Sequence, residues 1–118
     1  NLVFVASFAG QYPHPEEPLY AGTKWWTRGF ALSLEGRLGD EGVSVTIINP
    51  SEVRTEITGA LEEDAKGVPL KERFDKGEVV EPEEVADAIC FAVIQDNATM
   101  SEIDVYSTDK LSESLSSD

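Results

Sequence analysis

Apolar and polar positions divide this chain into alternating strand-like and helix-like segments. The opening segment, NLVFVAS, gathers β-branched and aromatic residues into one short run. A continuous apolar run of that length predicts a strand buried on both faces, as inside a parallel sheet. A loop rich in glycine and proline follows, with Gly10, Pro13 and Pro15. Pro18 suits the first turn of a helix, where its missing N–H has no partner to lose. From Glu17 to Gly39 the apolar residues Trp26, Phe30, Leu34 and Leu38 recur every four positions, a helical spacing. Gly39 and Gly42 end that run.

The segment VSVTIINP predicts a second strand, stopped by Pro50. TEITGALEEDA reads as a short amphipathic helix with Thr55 as its cap. Residues 66–80 read as a loop with one helical turn around Leu70 to Phe74. Pro82 opens a further helix in EPEEVADAICFAVIQ, whose first turn is acidic, where the helix dipole favours negative charge. EIDVYS predicts a third, shorter strand, and the polar residues 111–118 are expected to fray as a disordered tail. Residues 1–110 therefore read as one unit without internal repeats.

The series is β-α-β-α-β, which implies an α/β fold with parallel strands and helices covering the sheet. Three parallel strands make a small sheet for strands this apolar, and the first would keep an open edge. The pattern is that of the second half of a larger sheet.

Composition narrows the classes of function. Nine basic residues against 23 acidic ones leave a formal charge of −14. That field repels phosphate backbones and anionic lipid, so neither nucleic acid nor a membrane surface is an expected partner. The acidic residues are spread along the chain, as in LEEDA, EPEEVAD and GDEG. Of two readings, an ordinary soluble acidic protein and a halophilic one whose self-repulsion is screened by salt, that spread favours the halophilic one. No apolar run approaches the roughly 20 residues that span a bilayer, and no charged-then-apolar leader opens the chain. The single cysteine, Cys90, allows no internal disulfide. A reducing, cytoplasmic setting is expected.

One spacing carries chemistry. Ser7 ends the first strand, Tyr20 follows thirteen residues later in the start of the helix, and Lys24 lies four residues beyond it. On a helix those last two share a face. An ammonium beside a phenol favours the phenolate and draws it toward use as an acid or base at neutral pH. Such a tyrosine can give a proton to a carbonyl oxygen while hydride reaches the carbon, or take it from an alcohol in reverse. Ser7 could hold the same oxygen, because ligands of open parallel sheets bind beyond the C-terminal strand ends. The pair Tyr-x-x-x-Lys by itself is more often a surface contact. Its place between a buried strand and NPSEVRTEI, a turn at the same sheet edge, shifts the balance.

Taken together, VASFAG, YAGTK, the helix WWTRGFALSLEGRL, the turn NPSEVRT, VVEPEEVADAICFAV and SEIDVYST resemble the C-terminal half of a short-chain dehydrogenase/reductase. The resemblance implies half of a Rossmann-type parallel sheet flanked by helices, with the N-terminal half absent. It implies NAD or NADP as cofactor and a small carbonyl or alcohol as substrate. By the same resemblance Tyr20 would be the acid/base, and Lys24 would hold the nicotinamide ribose and favour the phenolate. Ser7 would orient the carbonyl. Pro50 would shape the turn, with the Val53 backbone and the Thr55 side chain meeting the carboxamide. Ser51 stands where the family usually has glycine, and Trp26 is large for its position. The family's glycine-rich phosphate loop, its adenosine selector and its relay asparagine are not among these residues, so this chain alone is expected to be inactive. A homo-oligomer is expected through the helix bearing Tyr20 and Lys24. The rival reading is a non-catalytic module for interaction or oligomerisation.

The remaining candidates are weighed individually. Tyr12 and Trp25 could line a substrate pocket, although Trp25 serves equally well as packing. His14, the lone histidine, reads as an exposed loop residue. Cys90, between Ile89 and Phe91, reads as a small buried hydrophobe. Glu62, Glu63 and Asp64 form a solvated helix face, and no metal site is expected.

Overall fold

Three short strands pair side by side, all parallel, in the order β1-β2-β3. The structure is a computed structural model and describes residues 1–54 and 79–109. Among the described residues the strands are β1 (Leu2–Val5), β2 (Val45–Pro50) and β3 (Glu102–Val105), and the α-helices are α1 (Pro18–Leu38) and α2 (Pro82–Val93). The predicted helix capped by Thr55, the turn at Leu70 to Phe74, the Glu62–Asp64 run and the tail 111–118 lie outside the described residues.

Strand register sets the core. Leu2 to Val5 pair with Val45 to Ile48, and Ile47 to Pro50 pair with Glu102 to Val105. Paired residues point to the same face and alternate along each strand. Phe4, Val45 and Ile47 therefore face α1, and Ala6 just after β1 with Ala31, Leu34 and Leu38 of α1 completes the cluster. β2 lies between two neighbours, and all six of its residues are buried.

β1 corrects an expectation. It was predicted to be buried on both faces, yet Leu2 and Val5 are 42% and 45% exposed. The cause is position in the sheet. β1 stands at one end of the strand order and, among the described residues, pairs only with β2.

The helix limits follow the local chemistry. Pro18 sits in the first turn of α1, and Gly42 closes the chain after it in a left-handed conformation at φ 76°, which a glycine adopts without strain. Pro82 opens α2, and Glu81 and Glu84 form a reciprocal capping box over its first turn. The stripe on α1 divides: Leu34 and Leu38 pack on the core, while Phe30 is 42% and Trp26 66% exposed. Trp26 stacks on Phe30 at 5.0 Å between ring centroids, and Phe30 meets Phe4 edge-on at 6.0 Å.

Cys90 is exposed, contrary to its sequence reading. The residues of α2 turned inward are Val85, Ala88, Ile89 and Ala92. Their spacing of three and four defines one face, and Cys90 and Phe91 fall off it. No helix among the described residues is long and apolar enough to cross a membrane.

Candidate active site

Ser7, Pro50 and Val53 stand at or beyond the C-terminal ends of neighbouring parallel strands, where open α/β sheets bind ligands. Ser7 follows β1, Pro50 closes β2, and Val53 lies just beyond it. Tyr20 and Lys24 occupy the start of α1.

Ser7 begins a 3-10 turn over Phe8–Gly10, and its hydroxyl oxygen accepts from the Ala9 N–H at 3.1 Å. That bond uses a lone pair and fixes the side chain. Among the described residues no hydrogen bond uses the hydroxyl hydrogen.

The turn is pressed onto α1 at Lys24. Gly10 is buried, and a Cβ placed on it would meet the Lys24 carbonyl oxygen at 2.8 Å. Only a residue without a side chain lets the Ser7 turn approach the helix this closely. Glycine at this place therefore brings the serine element against the lysine element. One turn earlier on α1, Tyr20 is 43% exposed, with the Lys24 Nζ 5.7 Å from its ring centroid. That separation lies within cation–π range.

The turn after β2 is tied from the side. Val53 forms a parallel bridge with Val80. The hydrogen bonds of that bridge belong to its neighbours: Arg54 N–H donates to the Val80 carbonyl at 2.9 Å, and Val80 N–H to the Glu52 carbonyl at 2.8 Å. In such a ladder the intervening residue directs its own N–H and C=O to the opposite side. The Val53 backbone takes no partner among the described residues.

Ser51 fits its turn without special backbone. No residue other than glycine has a positive φ among the described residues. Its N–H donates to the Val105 carbonyl at 3.0 Å, and its buried hydroxyl accepts from the Ser107 N–H at 3.0 Å. The serine thus joins the exits of β2 and β3. Thr55 lies outside the described residues.

The candidate pocket residues separate. Tyr12 stacks on Phe8 at 4.7 Å, and Phe8 meets Tyr106 edge-on at 5.4 Å, forming an aromatic cluster beside Ser7. Trp25 is 48% exposed and joins none of the ring contacts among the described residues. His14 is half-buried, and its carbonyl accepts from the Glu17 N–H at 3.1 Å, so it helps shape the approach to α1.

A polar network under α1 had no signal in the sequence. Arg28 pairs with Glu102 through two hydrogen bonds, the second at 3.2 Å. Asn49, fully buried, donates to Glu102 at 2.7 Å and to Asp104 at 3.1 Å. The hydrogen bond from Arg28 holds the Glu102 carboxyl below the usual carboxylate range, against the opposing effect of burial. Gln11 and Tyr106 extend the network to the loop behind Ser7.

Comparison with known proteins bears on the family and the fold. The family model described as short chain dehydrogenase matches residues 1–66. The chain is 33% identical over 92 residues to the uncharacterized short-chain type dehydrogenase/reductase y4vI of Sinorhizobium fredii, covering 76% of this chain and 17% of that protein. It is 30% identical over 93 residues to carbonyl reductase family member 4 of Xenopus laevis, covering 77% and 37%. Among solved structures, the closed form of serine dehydrogenase complexed with NADP+ matches with a TM-score of 0.69 and 26% identity, over 87% of this chain and 42% of that one. The chain spans less than half of each of these proteins.

Proposed function

The chain belongs to the short-chain dehydrogenase family, and on that premise we propose that it carries the proton-transfer half of an NAD(P)-dependent oxidoreductase. The reaction is the reversible interconversion of a small carbonyl compound and its alcohol. The observation that carries this reading is the contact of Gly10 with the Lys24 carbonyl. It sets the Ser7 turn against the helix that bears Tyr20 and Lys24.

The roles follow from the chemistry of each side chain. Bound NAD(P) supplies or accepts the hydride at its nicotinamide. Tyr20 gives a proton to the carbonyl oxygen in reduction and removes it from the alcohol in oxidation. Ser7 donates its hydroxyl hydrogen to the same oxygen and orients it. Lys24 places positive charge beside the phenol and offers donors to a ribose. The Val53 backbone suits the carboxamide, with Pro50 shaping the approach and Thr55 contributing its hydroxyl. Tyr12 lines the substrate side, and Trp25 borders it on α1.

The same reading makes the chain the C-terminal half of a longer polypeptide, with the phosphate-binding elements of the dinucleotide fold in the other half. The 118 residues alone are then inactive. A homo-oligomer joined through α1 is supported by the exposure of Leu19 and Trp26, at 84% and 66%. The same surface favours the second reading, a module that only binds other chains.

The test is nicotinamide absorbance in the full-length protein, with NADH and NADPH offered in turn with aldehydes and ketones. Carbonyl-dependent oxidation of either cofactor is expected. Cofactor that remains reduced across the whole panel would leave the binding module as the better account.

A further inference from the structure

Gln11 stands directly behind the 3-10 turn that Ser7 caps. Both ends of its amide are engaged. Nε2 donates to Oδ1 of Asp104 at 2.9 Å, and Oε1 accepts from the Tyr106 hydroxyl. Both partners belong to the far end of β3 and the residue after it, more than ninety positions along the chain. Asp104 is held in turn by Asn49, and Phe8 lies between the rings of Tyr12 and Tyr106. The loop leaving Ser7 is therefore gripped from three sides: by α1 at Gly10, by β3 at Gln11, and by aromatic contact at Phe8.

We propose that Gln11 is a positioning residue for Ser7, anchoring its loop to the last strand through a two-ended amide bridge to Asp104 and Tyr106. The role rests on the oxidoreductase reading given above, since Ser7 matters there as the group that orients the carbonyl. A neutral amide suits the place because one atom must donate to a carboxylate while its neighbour accepts from a phenol. Burial and the nearby Asp104 charge push the Tyr106 hydroxyl well above the ordinary phenol range, so it remains a donor at working pH. An ionised carboxylate at position 11 would face Asp104 with like charge and lose the donated bond. A protonated one would restore both bonds. The other charged groups around the bridge are Glu102 on β3 and Arg28 on α1, and these two are already paired with each other. Tyr12 is the titratable neighbour on the loop itself.

Hydrogen exchange in the full-length protein and in Gln11→Glu and Gln11→Leu tests the bridge. The reporters are the amides of Gly10, Gln11 and Tyr12, which bond to the carbonyls of Ser7 and Phe8. At about pH 8, where an added carboxyl is ionised, both variants should exchange about tenfold faster than the unsubstituted protein, the equivalent of one lost hydrogen bond. Below about pH 5, Gln11→Glu alone should regain protection relative to the unsubstituted protein. Carbonyl turnover should fall with the lost protection, while cofactor affinity stays unchanged. Unaltered exchange in both variants, or equal recovery of both in acid, would overturn the bridge. Faster exchange with unchanged turnover would overturn the positioning role while leaving the bridge. An unsubstituted protein that turns over no carbonyl would remove the oxidoreductase reading instead, and the exchange data would still decide the bridge.

Discussion

The Cα of Gly10 rests against the backbone carbonyl of Lys24, so close that a Cβ there would lie 2.8 Å from the oxygen and 3.0 Å from the carbon. Neither atom can swing aside, because both belong to the backbone of a 21-residue helix. The contact is the hinge point between the element that presents Ser7 and the element that presents Tyr20 and Lys24.

Gly10→Ala should therefore lower stability by about 1–3 kcal/mol, the usual cost of overpacking a filled site. Gly22, on the same helix, has no atom within 4 Å of its virtual Cβ. Gly22→Ala should raise stability by about 0.5–1 kcal/mol through helix propensity. Urea unfolding of the two variants checks the pair. Equal shifts of the same sign would contradict the close approach at Gly10.

Asn49 sits with its amide nitrogen between two carboxylates at zero exposure. Asn49→Asp replaces that donor with a third acid. The loss should be about 3 kcal/mol or more at neutral pH, as for a buried charge facing like charge. Burial and the two neighbours raise the pKa of the introduced carboxyl in the folded state. Its penalty is complete above that value and lifts as pH falls and the group takes a proton. Denaturation midpoints at neutral and mildly acid pH measure the difference between the variant and the parent.

Glu102 acts in the opposite sense. The Arg28 hydrogen bond depresses its folded value, so the stability it contributes is present above the unfolded value, about 4.3, and is lost as pH falls through the folded one. Thermal unfolding followed from neutral pH downward should show this acid limb. Glu102→Gln should flatten it while lowering the midpoint at neutral pH.

Much of the framework was legible in the order of residues. LVFV and VTIIN are short apolar runs between loop-forming residues, and Pro18 and Pro82 mark helix starts that the structure bears out. The open edge of β1 was legible from the count of strands, but the apolar run alone did not show that Leu2 and Val5 would be left exposed. Cys90 was misplaced for a related reason: a helix with apolar residues on more than one side does not reveal which side packs. The EIDVYS segment showed a strand but not the partners of its acids: Glu102 meets Arg28 and Asn49 beneath α1. Gln11 and Ser51 carry no periodic signal. Their partners, Asp104, Tyr106 and Ser107, are more than fifty positions away.

Most direct is a comparison of Tyr20→Phe with the unsubstituted full-length protein, measuring cofactor binding and carbonyl turnover side by side. The substitution removes one hydroxyl and leaves the ring over which Lys24 lies. Loss of an acid/base group should lower turnover by about 100-fold or more, with the dissociation constant for NAD(P)H unchanged. Turnover that survives Tyr20→Phe undiminished would contradict the assignment of Tyr20 as the proton donor, and with it the oxidoreductase site built around Ser7 and Lys24.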